Sequence, residues 1–435
     1  MTPNELTYQE AAVSNKQTTS ILLITAVLTA AAPLAHAQEE TAVPTTDPER
    51  KQVEYPRQRL ERSSEGIRVG DFRLSSAIVA SEYYDDNIYV TKDNQVDDYV
   101  TLLTPTFSAQ SLWSRHQLKF DAGGEVARYA RNSSENSEDY WVNGSGRYDF
   151  TKQTNVFAGA GVSRRHEDRV TPVAVFGVEP TLYDERAAHA GLATGSGAFS
   201  VRLAATYDRL AFRDVRTTIG TLNNDDRDRK QNSVGARINY AANTNWTVFL
   251  QGNSDRRRYD QAVDDYGYQR DSKGYSAVAG VQYRQGKTLN GELYAGRLKQ
   301  TYDDARFADV SEPDFGGRLN WRLAAHTTLS AYLDRSLEET TLPGASGYLY
   351  TLGGLRANHF LNPDWRVHAY YGRARSDYQG LDRQDDYDDA GAGITRMVTP
   401  GLSFSAEYRY LKRDSSVSGD DFTRNQVFLS VTGQM

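Results

Sequence analysis

HQLKFDAGGEVARY, residues 116–129, alternates in character at every step. Leu118, Phe120, Ala122, Gly124 and Val126 fall on one face, and Gln117, Lys119, Asp121 and Glu125 on the other. Such a period of two is that of a β-strand with one apolar and one polar side. The pattern returns in NSVGARINY (232–240), LSFSAEYRY (402–410) and QVFLSVTGQM (426–435). A soluble sandwich also alternates, so the connections have to choose between architectures. They divide into two classes. WSRH, TKQT, AANT, RQGK, AAHT, LNPD and VTPG are short, whereas RNSSENSED, 167–184 and 214–228 are long. Tight turns on one side and long loops on the other describe a transmembrane β-barrel. Tyr148, Phe150, Tyr240, Trp246, Trp321, Trp365 and Tyr410 cluster at strand ends on the apolar face, as an interfacial girdle requires.

The rest of the chain agrees. Lys16 precedes an apolar run, Ile21–Ala35, that ends in Ala35-His36-Ala37, the layout of a cleavable export signal. No later apolar run is long enough for a membrane-spanning helix. The 435 residues include no cysteine, which removes disulfides and thiolate zinc sites. The expected organisation is a signal peptide over 1–37, a flexible periplasmic tail over 38–69, and one all-β, antiparallel outer-membrane barrel over 70–435. Counting alternating segments from Phe72 gives about 18 strands, enough to leave an aqueous channel. An even count returns both chain ends to the periplasm. The last strand ends in Met435, where the signal read by the barrel assembly machinery usually ends in an aromatic residue.

With the first strand running outward, the recurrent aspartate pairs all fall on the long-loop side. They are Asp85 and Asp86, Asp97 and Asp98, Asp225 and Asp226, Asp264 and Asp265, Asp303 and Asp304, Asp385 and Asp386, Asp388 and Asp389, and Asp420 and Asp421. Aspartate ends strands and keeps loops hydrated, so an extracellular acidic rim is expected. That rim would meet outer-membrane lipid and lipopolysaccharide, with weak Ca²⁺ association as a secondary role. Lys119, Arg147, Arg202, Arg237, Arg318, Arg322 and Arg366 face the lumen near the short turns and form a basic belt at the periplasmic mouth. Such a belt either gathers anions or pairs with Asp149 and Glu292 to brace the wall. Tyr129, Trp141, Phe249, Tyr294, Tyr332 and Tyr370 also face the lumen and are candidate stacking surfaces for sugars. No nucleotide-binding fingerprint, metal-ligand spacing or nucleophile arrangement appears, so neither catalysis nor a cofactor is expected. His166, in RRHEDR at an outer strand end, lies beside Glu167 and Asp168, but a wide barrel holds apart the strands a protease would need. The net charge of −7 argues against nucleic acid.

Tyr84-Asp85-Asp86-Asn87, followed by DDYVTLLTPTFSAQSLWSRHQLKFDAGGEVARY (97–129) with Pro105 in mid-strand and the step Arg115-His116-Gln117-Leu118, resembles the putative β-barrel porin 2 family. The resemblance covers roughly 70–435. It implies an outer-membrane component of exopolysaccharide export that docks a periplasmic export lipoprotein. The expected function is therefore a non-enzymatic conduit for polysaccharide. The alternatives are a general or solute-specific diffusion porin, and a structural or adhesive surface barrel.

Overall fold

The computed structural model describes residues 66–171, 177–218 and 220–435. The expected export signal and the tail up to residue 65 lie outside the described residues. β1 (Ile67–Val69) folds back on the next strand around Gly70, whose φ of 57° suits a residue without Cβ. The last residues of the expected flexible tail are thus a short strand, because their N–H and C=O groups find partners on the base of the barrel.

Eighteen strands close into one antiparallel barrel. They are β2 (Phe72–Asp85), β3 (Asp98–Ser111), β4 (Gln117–Tyr129), β5 (Ser137–Asp149), β6 (Asn155–His166), β7 (Leu182–Ser196) and β8 (Phe199–Phe212), then β11 (Arg229–Ala241), β12 (Trp246–Tyr259), β13 (Ser272–Gln285), β14 (Leu289–Tyr302), β15 (Val310–Ala324), β16 (Thr327–Glu338), β17 (Gly347–Asn362), β18 (Trp365–Gln379), β19 (Gln384–Thr399), β20 (Leu402–Ser415) and β21 (Phe422–Gln434). β9 (Val215–Thr217) and β10 (Gly220–Leu222) form a small hairpin in the loop between β8 and β11. Each barrel strand pairs with the next, and β21 pairs back on β2 from Ala77↔Gln434 to Asp85↔Gln426. Lipid offers backbone groups no partner, so closure is what satisfies both edges.

Register sorts the side chains. On β11, Arg237 is 3% exposed while Val234 and Ile238 are 64% and 49% exposed. Leu250, Leu293 and Leu429 stand out on the same outer surface. A soluble protein would bury these leucines; here they face hydrocarbon. Trp246 stacks near Tyr283, Phe199 near Tyr240, and Tyr148 against His116 and Phe150, forming the girdle at the short-turn end. Tyr410 departs from this group, since β20 places it nearer its long-loop end. Pro105 sits inside β3, opposite Ile78 of β2. The ladder from β3 to β4 skips Thr104 and Pro105 and resumes at Thr106↔Gly123, as a residue without N–H demands.

One pair of strands does not follow the wall. The β15–β16 ladder runs from Ala324↔Thr327 to Gly316↔Asp334 and stops, although β15 begins at Val310 and β16 continues to Glu338. Beyond that point the β16–β17 hairpin turns into the barrel. Its Leu337 and Leu349 pack on Leu298 and Tyr302 of β14, Val310 of β15 and Phe307. Pro313, in the part of β15 that pairs with β14 but not with β16, suits a strand with one free edge.

Candidate functional site: the lumen and its outer plug

The inward hairpin is half of a plug. Tyr348, Tyr350 and Leu352 of β17, Ala374 and Tyr378 of β18, Tyr387 of β19 and Phe422 of β21 form one buried apolar cluster. Val90, Val170 and Ala345, from three different long loops, complete it. Among the described residues the outer end of the lumen is therefore packed, which corrects the expectation of an aqueous channel along its whole length. Alternation places tyrosines on the lumen face but does not say whether water or another loop covers them.

Buried polar contacts hold the plug. Arg257 of β12 bonds Glu339 and the Leu337 carbonyl (3.2 Å), and Tyr259 bonds Glu339. Arg270 donates to the carbonyls of Thr340 (2.6 Å), Ala345 (2.8 Å) and Leu342 (3.2 Å), with Asp264 at 2.7 Å. The loop after β6 is fixed by Glu167 to Arg227, by Arg169 to Glu135 (2.9 Å) and by Asp168 facing Arg424 at 3.7 Å. Sequence reading missed Arg257, Arg270, Glu339 and the hairpin. Pro313 followed by Gly316-Gly317 was the available signal.

The aspartate pairs do all lie at the long-loop end, but several are structural hubs rather than hydrated strand ends. Asp85 is fully buried and accepts from Arg424 (2.5 Å) and Gln426 (2.8 Å). Asp86 receives both the backbone N–H (2.7 Å) and the side chain (2.6 Å) of Asn425. Asp98 receives the N–H groups of Tyr99 (2.8 Å) and Asn132 (2.8 Å), and Asp97 pairs with Arg131 at 2.7 Å. Asp304 pairs with Arg306 (2.6 Å), Asp385 with Arg383 (2.9 Å), Asp386 with Arg375 (2.8 Å), Asp388 with the Tyr371 hydroxyl (2.5 Å), Asp420 with Arg383 (3.1 Å) and Asp421 with Lys92 (2.8 Å). Asp225, Asp265 and Asp303 remain exposed. Arginines on adjoining strand ends supply donors that composition alone does not locate.

Asp226 behaves differently. Burial, then the charge of Asp265 across the gap, push its pKa up to about 6. The protonated form is favoured by the folded loops, so this contact gains stability as pH falls through 6 and loses it as pH rises from 4 to 6. Amide protection factors at 225–227 and 264–266, corrected for intrinsic exchange, should rise between pH 7 and pH 5, and Asp226→Asn should remove that dependence. Equal protection at both pH values would refute the coupling.

The basic belt divides by geometry. Lys119 pairs with Asp121 (2.8 Å) and Arg147 with Asp149 (3.0 Å). Arg237 reaches across β12 and β13 to Glu292 (2.8 Å), its guanidinium 3.5 Å from the Phe249 ring centre. Arg202 covers Phe157 at 3.9 Å, and Arg366 donates to Thr395 at 3.4 Å. Arg318 and Arg322 are exposed on the lumen face of β15, and among the described residues no carboxylate stands within ion-pair distance of either.

Five of the six lumen aromatics lie against the wall because each faces a glycine. Trp141 is opposite Gly123, Phe249 opposite Gly280, Tyr294 opposite Gly316, Tyr332 opposite Gly354 and Tyr370 opposite Gly391. A Cβ on Gly280 would stand 2.3 Å from the Phe249 ring. Phe249 and Tyr370 are buried, Phe249 beneath Arg237, so they offer no face to a solute; Trp141, Tyr294 and Tyr332 are half-buried. Tyr129 packs with the outer cluster of Tyr83, Val100 and Phe428. His166 bonds Asp139 at 2.9 Å and ties β6 to β5.

The family model described as "Putative beta-barrel porin 2" matches residues 63–435. The chain belongs to this family. Porin 2 membership, with the closed eighteen-strand wall and its lipid-facing leucines, makes the protein a porin-like channel of the outer membrane. Among solved structures, this porin 2 barrel is similar in fold to OccK3 (OpdO) of Pseudomonas aeruginosa, with 13% identity, TM-score 0.45, and coverage of 84% of this chain and 97% of that one. It is also similar to opdK of the same organism, with 14% identity, TM-score 0.46, and coverage of 83% and 99%. The siderophore receptor PirA, again from Pseudomonas aeruginosa, gives 11% identity, TM-score 0.41, and coverage of 85% and 81%. No curated protein matches the chain.

Proposed function

We propose that this barrel is a gated, non-enzymatic conduit that passes polysaccharide outward. The observation that carries the reading is the combination of a packed outer mouth with exposed cations near the periplasmic end, Arg318 and Arg322, and half-buried ring faces on the lumen wall. Arg318 and Arg322 form no ion pair among the described residues, Glu292 opposite Arg318 being held by Arg237, and exposed lumen cations of this kind draw anionic segments into a low-dielectric mouth. Trp141, Tyr294 and Tyr332 offer apolar surfaces on which sugar rings stack. A plug held by buried pairs suits a dedicated cargo better than free diffusion. On this reading a periplasmic lipoprotein delivers the polymer.

Deleting the gene and measuring secreted polysaccharide tests the proposal; a large fall is expected, and unchanged secretion would sink it. A steady open conductance that sugars do not alter would instead favour a diffusion porin. Retained surface binding by a non-conducting barrel would favour an adhesive role. Charge reversal at Arg318 and Arg322 should lower the anion-to-cation permeability ratio severalfold. Reversal at Arg237 should mainly lower stability, since its charge is already matched by Glu292. Equal effects on permeability would remove the distinction drawn between the two sets.

A further inference from the structure

Five neighbouring strands carry cations on their outward face, below the long loops. Arg186 of β7 lies opposite Arg209 of β8, Arg209 opposite Lys230 of β11, and Lys230 opposite Arg258 of β12. Arg256 of β12 lies opposite Lys273 of β13. These side chains share the outward face with Leu203, Val234 and Leu250, all exposed. One carboxylate forms ion pairs within the group: Asp260, 2.8 Å from both Arg209 and Lys230. Asp228 and Asp271 stand at its loop edge, where they accept the backbone N–H groups of Phe212 and Tyr259. Among the described residues, Arg186, Arg256, Arg258 and Lys273 form no ion pair, although other outward cations do. Arg375 pairs with Asp386 and Lys412 with Asp414. Like charges set directly opposite on a sheet repel; Asp260 offsets this for two of the six cations, and the other four are open to an anion from outside the chain.

Its level on the barrel says what that is. Tyr207 and Tyr275, both exposed, stand on the same face a step closer to the membrane, with Val234 and Leu250 beneath. Tyrosines mark the membrane–water interface, so the cations stand at headgroup depth in the outer leaflet. Four strands at 4.7–4.9 Å spacing span about 14 Å. That is about the reach of a disaccharide with a phosphate at each end. Guanidinium groups take phosphate through two parallel hydrogen bonds, and lysine adds a point charge. Cargo inside the lumen cannot reach this face.

We propose that the row Arg186, Arg209, Lys230, Arg258, with Arg256 and Lys273, binds the phosphates of a phosphorylated glycolipid of the outer leaflet, the anchor of lipopolysaccharide. Its acyl chains lie along Leu203, Val234 and Leu250. The site is independent of what the channel carries.

The test uses the folded full-length barrel in detergent micelles, with bisphosphorylated lipid A and phosphatidylglycerol as probes and native mass spectrometry as the readout. The wild type should retain lipid A about tenfold more tightly than phosphatidylglycerol. Arg186→Gln combined with Lys230→Gln and Arg258→Gln should abolish that preference. Arg373→Gln combined with Arg375→Gln and Lys412→Gln, which removes as many outward cations elsewhere, should leave it intact. Without lipid, the first variant should melt close to the wild type, because the repulsion removed offsets the lost Lys230–Asp260 pair; this also shows that it folds. Retained preference in the first variant, equal loss in both variants, no preference in the wild type, or displacement of lipid A by inorganic phosphate at equal concentration would each overturn the proposal.

Discussion

Replacing Arg257 and Arg270 together with alanine is expected to free the β16–β17 hairpin and raise single-channel conductance severalfold. Both arginines are 2–3% exposed, and between them they bind Glu339 and four backbone carbonyls of the hairpin and its tip. Removing one partner of a buried ion pair costs about 3–5 kcal/mol, and each buried carbonyl left without a donor costs about 1–3 kcal/mol more. The losses fall on the hairpin tip. The wall is buffered from them, because β17 stays paired with β18 from Gly347↔Gln379 to Asn362↔Trp365. The β16 edge and the hairpin tip are then held against β14 only by the apolar contacts of Leu337 and Leu349. Planar-bilayer recording of the folded variant decides the matter: a conductance equal to that of the wild type would mean that the plug is part of the rigid wall.

The second large effect is expected at the seam where the barrel closes. Arg424 of β21 donates to Asp85 of β2 at 2.5 Å and 2.8 Å and faces Asp168 of the plug loop at 3.7 Å. Asp85 is fully buried, so Arg424→Ala leaves a buried carboxylate with only Gln426 and the Asn87 N–H as donors. A loss of about 3–5 kcal/mol is expected, read as a lower urea midpoint for the folded species. Asp85→Asn should cost less, since the amide oxygen still accepts from Arg424. A double replacement by leucine at both positions should be less damaging than Arg424→Ala alone, because no unpaired charge remains. If all three variants unfold at the wild-type midpoint, the pair is incidental to closure.

The two predictions rest on residues of unequal legibility. Asp85 is visible in the sequence as a strand end, and the direction of β2 follows from it. Its partner is 339 positions away, and nothing local connects them. The same holds for the basic belt. Lys119 and Arg147 find acids two residues along their own strands, Asp121 and Asp149, a spacing that alternation exposes directly. Arg237 finds Glu292 over two intervening strands, and only the curvature of the wall brings them together. Four of the six lumen aromatics singled out from the sequence, Tyr129, Trp141, Tyr294 and Tyr332, are half-buried, and Tyr129 and Tyr332 pack against buried clusters. Phe249 was placed on the correct face yet lies under Arg237. Side-chain direction is set by backbone period, but coverage is set by whichever neighbour arrives.

The sequence alone determined the approximate number of strands, the direction of each, which face meets lipid, and the side on which the aspartates gather. Each of these depends on period-two alternation and on loop length, which act over a few residues. Only the tertiary structure decided that the hairpin leaves the wall at Gly316↔Asp334, that three loops fill the outer mouth, and that aspartates serve arginines instead of water. Those outcomes depend on contacts such as Arg257 with Glu339, 82 positions apart. A barrel makes such contacts through its curvature and closure, which the local pattern implies but does not position.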